Sequence, residues 1–263
     1  MASQVVKPPE TGVERSPAGQ EGQDTKVMSF FEHLEELRNR LFHAVIAIII
    51  GMVIGFALTN PVLNIIKNTY GDLLRVLDPV DSLVVYLRVS LMIGAILASP
   101  VITYQILMFI MPGLTKKERR WVLMSLPATT ILFLIGLAFT WYLLIPAYIT
   151  FLKGFQSDVF KVDWTADNYV GFITTVLFWH AAAFETPLVF FILGRLGAVR
   201  ASQMLKYWRH AVVADSLIAA FIAPTIDPLT MIVITLLLVA LYALSVVLVA
   251  LTSGWKRVPT SAR

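Results

Sequence analysis

The sequence has no cysteine among its 263 residues. This absence excludes disulfide bonds, thiol chemistry and metal sites built from cysteine. The zinc-protease helix motif, the nucleophile elbow, the P-loop and the glycine pattern of dinucleotide-binding proteins are also missing. The four histidines are scattered, and none is paired at ligand spacing: His33, His43, His180 and His210. We interpret each as structural or interfacial, so the sequence predicts neither an enzyme nor a cofactor.

Charged residues are scarce, at 14% of the chain, whereas hydrophobic residues make up 57%. Soluble domains carry about 25% charged residues. The shortfall and several long uncharged runs, among them 44–55, predict an all-α integral membrane protein with several spans. Residues 1–27 are rich in Pro, Gly, Gln and Glu, which predicts a disordered cytoplasmic tail. The predicted membrane domain covers 28–255, and 256–263 form a basic cytoplasmic tail.

Six apolar runs are candidate membrane-spanning helices: about 41–58, 83–111, 121–145, 168–194, 211–223 and 229–251. Asn60-Pro61 is predicted to end the first span, and Pro100 to kink the second. Residues 60–82 and 146–167 are predicted to be outer segments, the former with short helices near the surface. The fifth run covers only about 20 Å at 1.5 Å per residue, less than the ~30 Å hydrocarbon core.

Basic residues are distributed unevenly between the connecting segments. The segments assigned to the cytoplasm hold 16 lysines and arginines, and the outer segments hold 4, with Arg88 at the outer end of the second span. Because basic loops stay in the cytoplasm, this asymmetry predicts six spans with both termini cytoplasmic. The short fifth run must then cross the membrane.

The stretch before the first span predicts an acidic amphipathic helix at the water–membrane boundary. Ser29 and Glu32 have the spacing of a capping box. Four apolar residues then recur on one helix face: Phe30, Leu34, Leu37 and Leu41. The carboxylates of Glu32, Glu35 and Glu36 stand off this stripe. Alternatively, this side is an ordinary solvated face with Glu36 and Arg40 paired at i, i+4.

Three other acidic residues are candidates for function. Glu185 lies deep in the fourth span, where a carboxyl group is costly and commonly functional. The alternative is a protonated acid that is hydrogen-bonded between helices. Asp215 is weaker evidence, since the fifth run is short. Glu118 is flanked by four basic residues and either balances them or joins Glu36 in presenting two carboxylates to one basic ligand.

Four separate motifs within about residues 28–251 resemble the TatC family, the polytopic subunit of the twin-arginine protein translocase. The first is His33-Leu34-Glu35-Glu36-Leu37-Arg38-Asn39-Arg40-Leu41. The second is Tyr104-Gln105-Ile106-Leu107-Met108-Phe109-Ile110-Met111-Pro112-Gly113-Leu114, followed by Glu118-Arg119-Arg120. The third is Phe184-Glu185-Thr186-Pro187, and the fourth is Ala223-Pro224-Thr225-Ile226-Asp227-Pro228.

The resemblance implies a glove-like, concave arrangement of six helices with short fifth and sixth helices in the cytoplasmic (inner) membrane. It implies a subunit that binds twin-arginine signal peptides of folded cargo proteins and uses the proton-motive force. Its implied partners are single-span TatA- or TatB-type subunits, other TatC copies and the lipid bilayer, with no nucleic acid.

The resemblance also implies residue roles. Glu36 and Glu118 would be the signal-binding acids, with a site shaped by Arg38, Phe109, Pro112 and Leu114. Glu185 would be the polar group on the concave side, in contact with a partner. Asp227 belongs to the fourth motif, and Met231 stands where the family often has glutamine four places later.

A twin-arginine ligand is consistent with the chemistry of these acids. Two guanidinium groups favour carboxylates in bidentate geometry, which lysine cannot reproduce. The alternative function is a proton-coupled small-solute transporter that uses Glu185 and Asp215, although the sequence has no obvious inverted repeats with matching broken helices. A purely structural scaffold would explain the topology but not the two cytoplasmic acids.

Overall fold

The computed structural model describes residues 30–71, 74–111, 114–155, 163–223 and 227–253. Within these ranges the chain forms nine α-helices and one π-helical turn. The helices are α1 (Phe30–Tyr70), α2 (Pro79–Ile110), α3 (Lys116–Phe139), α4 (Ile145–Gly154), α5 (Ala166–Ala183), α6 (Thr186–Arg195), α7 (Ala201–Lys206), α8 (Trp208–Ile222) and α9 (Pro228–Ser253). The π-helical turn, Thr140–Leu144, joins α3 to α4. The two predicted tails, 1–27 and 256–263, lie outside the described residues.

Five helical stretches in the described part of the chain are long and apolar enough to cross a membrane. They are Phe31–Tyr70, Pro79–Ile110, Glu118–Gly154, Ala166–Arg195 and Pro228–Leu251. The prediction of an all-α, multi-pass membrane protein is therefore confirmed. The fifth apolar run forms α8, whose 15 residues are fewer than a span of ordinary length needs.

The first helix does not end at Asn60-Pro61, so that prediction is wrong. Helix α1 has 41 residues and continues through Pro61 to Tyr70. A proline removes only one backbone donor, and packing by neighbouring helices offsets the loss. Here Ile66 is buried, and Val62 and Leu63 pack against the largest hydrophobic core. The predicted separate surface helices are thus a continuation of α1.

Helices α1 and α2 cross with their backbones in close contact. A Cβ atom built on Gly51 would lie 2.5 Å from the carbonyl oxygen of Gly94, and one on Gly55 would lie 2.5 Å from that of Ser90. The hydroxyl groups of Thr59 and Ser90 are 2.7 Å apart at the same crossing. Small residues four positions apart allow this approach in membrane helices. The crossing fixes α1 against α2 along most of its length.

The third span is longer than predicted. We expected this span to run from Trp121 to about Ile145. The helical stretch instead continues to Gly154 and consists of α3, the π-helical turn and α4. Ile145 donates its N–H to the carbonyl of Thr140, five residues back. Pro146, which has no N–H, follows directly, and the wider turn accommodates it. Residues 146–154, predicted to be loop, are therefore helical.

The fourth span is broken, and the sixth is long. Helix α5 ends at Ala183 and α6 begins at Thr186, with Phe184 and Glu185 between them. Pro187 lies in the first turn of α6, where its missing N–H costs least. Helix α9 has 26 residues, so the expectation of a short sixth helix is wrong. Its apolar run contains no internal glycine or proline that would end it earlier.

The end of α1, the end of α4 and the start of α5 lie on the side of the molecule that the sequence predicts to be outer, and they are joined by a set of contacts that we call the outer clasp. Lys153 donates to the carbonyl of Tyr70 at 2.8 Å, and its ammonium lies 4.1 Å from the centre of the Tyr70 ring. Arg75 pairs with Asp163 at 2.6 Å. The Tyr70 and Trp164 rings both pack on Tyr169. Apart from the local pair of Trp164 and Tyr169, these contacts connect residues that are 80 or more positions apart in the sequence.

Arg88 also contributes to this outer side. Its Nη1 lies 2.8 Å from a carboxylate oxygen of Asp167 and donates to the Asp167 carbonyl at 2.9 Å. The guanidinium occupies the space beside Gly171, where a Cβ atom would collide with it. Arg88 therefore pairs with a specific carboxylate between α2 and α5.

Candidate functional site

The first turns of α1 present their polar side to α2 and leave their apolar stripe exposed. Leu34 is 46% exposed and Leu41 62%. His33, Glu36 and Arg40, at spacings of three and four on the other side, are partly buried. This arrangement is inverted with respect to a soluble amphipathic helix, whose apolar stripe faces the core. The exposed stripe is available for contact with lipid or with an apolar ligand segment.

The Glu36 carboxylate is held by Arg40, which also contacts α2. Its Oε1 accepts from Nη2 of Arg40 at 3.2 Å, and Nη1 of Arg40 donates to Oε1 of Gln105 on α2 at 3.4 Å. The Glu36 side chain is only 14% exposed and that of Arg40 28%. Thus the i, i+4 pair forms as the sequence suggests, but at a half-buried helix contact. The role of Gln105 was not predicted, because a single glutamine in an apolar helix carries no pattern.

Phe109 lies one turn beyond Gln105, towards the end of α2. Its ring stacks on that of His33, with ring centres 4.3 Å apart and an angle of 17° between the planes. The two contacts, His33 with Phe109 and Arg40 with Gln105, hold the start of α1 against α2. The structure therefore brings Glu36 and Phe109, both predicted site residues, onto the same pair of helix ends.

The turn between α2 and α3 carries the remaining motif residues. Pro112 lies outside the described residues. Leu114 donates its N–H to the Met111 carbonyl at 3.0 Å and packs on the cluster formed by Leu107, Met111 and Val122. Leu114 thereby fixes the approach of the chain to α3.

Glu118 caps the start of α3. Its Oε2 accepts from the Thr115 backbone N–H at 3.0 Å and from the Thr115 hydroxyl at 2.8 Å. The Thr115 hydroxyl in turn accepts from the Glu118 N–H at 3.4 Å. This reciprocal capping box stabilises the helix start and holds the carboxyl group at the end of the turn. A threonine followed three places later by glutamate signals this cap in the sequence.

Arg38 differs from the other motif residues in its exposure. Its side chain is 76% exposed and lies 3.4 Å from that of Glu35, which is 66% exposed. An exposed pair of this kind contributes about 0–1 kcal/mol. Arg38 is therefore free to move towards a ligand at little cost.

Glu185 sits at the break between α5 and α6. Its Oε1 accepts from the Thr103 hydroxyl on α2 at 3.3 Å, and its own backbone carbonyl accepts from the N–H groups of Leu188 and Val189. The side chain is half-buried. The carboxyl group thus has a protein partner at membrane depth, while part of it remains accessible.

The last two residues of the fourth motif, Asp227 and Pro228, form the start of α9, and residues 224–226 lie outside the described residues. Oδ1 of Asp227 accepts from the Thr230 N–H at 2.7 Å, and the Asp227 carbonyl accepts from the Met231 N–H at 3.3 Å. Asp227 is therefore the N-terminal cap of α9. An open groove of about 460 Å³ follows, lined by Ser216, Pro228, Met231, Ile232, Thr235 and Leu236. Met231, at the position where the resemblance led us to expect a glutamine, contributes an apolar side chain to this groove.

Comparisons with a family sequence profile and with individual known proteins indicate the same family. Residues 32–236 match the sequence profile described as Sec-independent protein translocase protein (TatC). The chain is 34% identical over 247 residues to the chloroplastic Sec-independent protein translocase protein TATC of Arabidopsis thaliana, covering 90% of this chain and 73% of that protein. It is 36% identical over 208 residues to the TatC protein of Synechocystis sp., with coverage of 79% and 82%.

The fold agrees with a solved structure. A crystal structure of the twin-arginine translocase receptor TatC matches with a TM-score of 0.74 at 31% identity, covering 84% of this chain and 100% of that chain. The same protein in DDM matches with a TM-score of 0.74 at 32% identity, covering 82% and 99%. The profile match spans most of the membrane-embedded helices described above. The chain therefore belongs to the TatC family of Sec-independent protein translocase proteins.

Proposed function

We propose that this chain is the receptor subunit of a twin-arginine translocase and binds the two signal-peptide arginines through Glu36 and Glu118. The observation that carries the proposal is the Glu36 carboxylate, held half-buried between α1 and α2 beside an exposed apolar stripe. An exposed ion pair is worth little, whereas a charge-assisted hydrogen bond in a shielded site is stronger. Phe109 and the stripe offer apolar contact for the rest of the signal.

The wider function follows from family membership. The chain would export folded cargo across the cytoplasmic membrane with single-span TatA- or TatB-type subunits and further TatC copies, driven by the proton-motive force. Six spans with a concave, glove-like shape would suit this task. The uneven distribution of 16 and 4 basic residues supports a crossing by α8, because five spans alone would place the termini on opposite sides.

Signal binding is tested with the purified full-length protein. A twin-arginine signal peptide carrying a photo-crosslinker is expected to label the protein strongly, and its twin-lysine version weakly, because lysine lacks the bidentate geometry. Labelled fragments should map to the start of α1 and the α2–α3 turn. Equal labelling by both peptides would refute the proposal. Uptake of a small solute by vesicles holding this chain alone would favour a transporter.

Topology is tested with reporter fusions in the native membrane. Fusions after Asp72, Asp158 and Asp227 should report the outer side, and fusions after Lys117, Arg200 and Trp255 the cytoplasm. The reason is the basic bias of the connecting segments. The fusion at Asp227 decides whether α8 crosses, and a cytoplasmic signal there would refute the six-span topology.

Glu185 is proposed to hydrogen-bond a polar side chain on a partner's membrane helix. Its position at a helix break, with one oxygen on Thr103, leaves the carboxyl group partly accessible, and a polar group at this depth needs protein or water around it. Glu185→Ala should weaken crosslinking to a partner helix about tenfold, which corresponds to about 1.4 kcal/mol, and leave signal-peptide crosslinking near normal. Glu185→Gln, which keeps a donor and an acceptor, should preserve both.

Both crosslinks should be measured in the same Glu185→Ala sample. Thr103→Val is the matched control, because it removes the intramolecular hydrogen bond and leaves the carboxyl group in place. Loss of the signal crosslink with the partner crosslink intact would instead assign Glu185 to recognition.

A further inference from the structure

The Glu36 carboxylate is already occupied by a guanidinium. Arg40 binds its Oε1 at 3.2 Å and reaches Oε1 of Gln105 with its other terminal nitrogen at 3.4 Å. Gln105 is buried, with 9% of its surface exposed. Oε2 of Glu36 is also buried and has no hydrogen-bond partner among the described residues. A ligand arginine therefore has no open carboxylate oxygen to bind while Arg40 stays in place.

We propose that Arg40 binds Glu36 in the place that a ligand arginine takes when it is bound. An incoming guanidinium replaces Arg40 and donates to Glu36 and also to Gln105, which is the second acceptor. This inference rests on the proposed function, since it assigns a specificity role within the same site. The Arg40 side chain can leave Glu36 when a ligand binds, because it is already 28% exposed and a long arginine side chain can extend to the membrane surface.

The exchange explains how selectivity arises at a half-buried carboxylate. Leaving Glu36 or Gln105 without a donor is costly, because buried polar groups need hydrogen bonds. A guanidinium has five donors in a planar fork and can serve both acceptors, as Arg40 does. A lysine ammonium is a compact point charge on a flexible stem and does not match this fork. Gln105 thus favours arginine over lysine.

Arg40 and Gln105 make separable contributions to binding. The free energy needed to displace Arg40 is the same for every ligand. Arg40 therefore lowers the affinities for arginine and lysine ligands by the same factor and leaves the ratio of the two affinities unchanged. Gln105 lies where the second terminal nitrogen of a guanidinium bound to Glu36 can donate to it, as in Arg40. A lysine ammonium has a single nitrogen and does not match this geometry, so Gln105 sets the ratio between the affinities for arginine and lysine ligands. A purely structural role for either residue would not produce this separation.

The experiment measures the binding of fluorescent twin-arginine and twin-lysine signal peptides to the full-length protein in phosphatidylcholine–phosphatidylglycerol nanodiscs. Arg40→Gln should lower both dissociation constants about five- to tenfold, the equivalent of a modest ion pair, and leave their ratio unchanged. Glutamine at this position can still donate to Glu36. Arg200→Gln, which removes the same charge at the start of α7, is the control and should change each constant less than about twofold.

A second substitution tests Gln105. In the Arg40→Gln background, Gln105→Leu should weaken twin-arginine binding by about tenfold or more, as for the loss of one hydrogen bond to a charged group, and leave twin-lysine binding nearly unchanged. The preference for the twin-arginine peptide, measured as the ratio of the twin-lysine to the twin-arginine dissociation constant, should then fall.

Clear outcomes would overturn the inference. Weaker twin-arginine binding by a folded Arg40→Gln protein would show that Arg40 supports binding instead of competing with it. Should Arg40→Gln fail to fold, Arg40→Lys keeps the positive charge beside Glu36 but lacks the fork that reaches Glu36 and Gln105 together. It should strengthen twin-arginine binding, and unchanged or weaker binding there would equally refute the exchange. If the unmodified protein does not prefer the twin-arginine peptide, the proposed function itself fails, and this inference with it.

Discussion

Replacing Glu36 and Glu118 together by glutamine is expected to weaken binding of a twin-arginine signal peptide by roughly a hundredfold or more. A hydrogen bond to a charged group contributes about 1.5–3 kcal/mol, and every 1.4 kcal/mol is about tenfold in affinity. The acids lie on different helices, α1 and α3, so their effects should be close to additive. Glu118→Arg alone should be worse than Glu118→Gln, since it adds repulsion. Fluorescence anisotropy with the purified protein measures these losses.

Glutamine is the informative substitution because Glu118 also caps α3. Glutamine retains a capping-box acceptor and removes only the charge. Thr115→Ala is the matched control: it removes the other half of the cap and leaves the carboxylate, so signal binding should stay within about threefold of normal. Loss of binding in Thr115→Ala with full binding in the double glutamine variant would show that the cap geometry, not the charge, matters.

Replacing Gly94 by valine is expected to destabilise the folded protein by about 1–3 kcal/mol, the usual cost of overpacking a tight contact. A Cβ atom at Gly94 would lie 2.5 Å from the backbone nitrogen of Met52 on α1. The two helices must then separate, which also weakens the hydrogen bond between Thr59 and Ser90. Thermal unfolding in mild detergent measures the loss as a lower melting temperature.

Gly154→Ala is the control for the effect of glycine itself. Gly154 is the last residue of α4, and a Cβ atom there would meet nothing within 4 Å. Its replacement should leave the melting temperature unchanged or slightly higher, since alanine is the better helix former. A Gly94→Ala protein as stable as Gly154→Ala would contradict the close crossing of α1 and α2.

The all-helical class and the positions of the long apolar runs follow from the sequence, because long uncharged runs allow no other structure in a membrane. The ends of the helices follow less well. Pro61 was expected to end the first span, and the third span was expected to end at about Ile145, yet helix continues past both positions. A proline forbids one hydrogen bond, and whether that ends a helix depends on packing against distant parts of the chain, as Ile66 packs in the core with residues of α2 and α5. Such contacts cannot be read from local sequence.

In the candidate site, too, the sequence predicts some contacts and not others. The pair of Glu36 and Arg40 is visible as an i, i+4 spacing, and the cap of Glu118 as a threonine three residues earlier. The contacts of Gln105 with Arg40 and of His33 with Phe109 are not visible, because they depend on the register of α1 against α2. That register is set by Gly51, whose backbone contact with Gly94 carries only the weak signal of a small residue.

The outer clasp has a consequence for how the growing polypeptide matures during synthesis. Tyr70 emerges early, but Lys153 follows 83 residues later and Trp164 follows 94 residues later. Polypeptide synthesis proceeds at about 5–20 residues per second. The residues that contact this end of α1 are therefore synthesised roughly 5 to 20 s after it. A ribosome-bound intermediate that stops before α4 therefore leaves this end undocked and open to proteases on that side. Completion of α5 is the step at which the nascent chain becomes resistant.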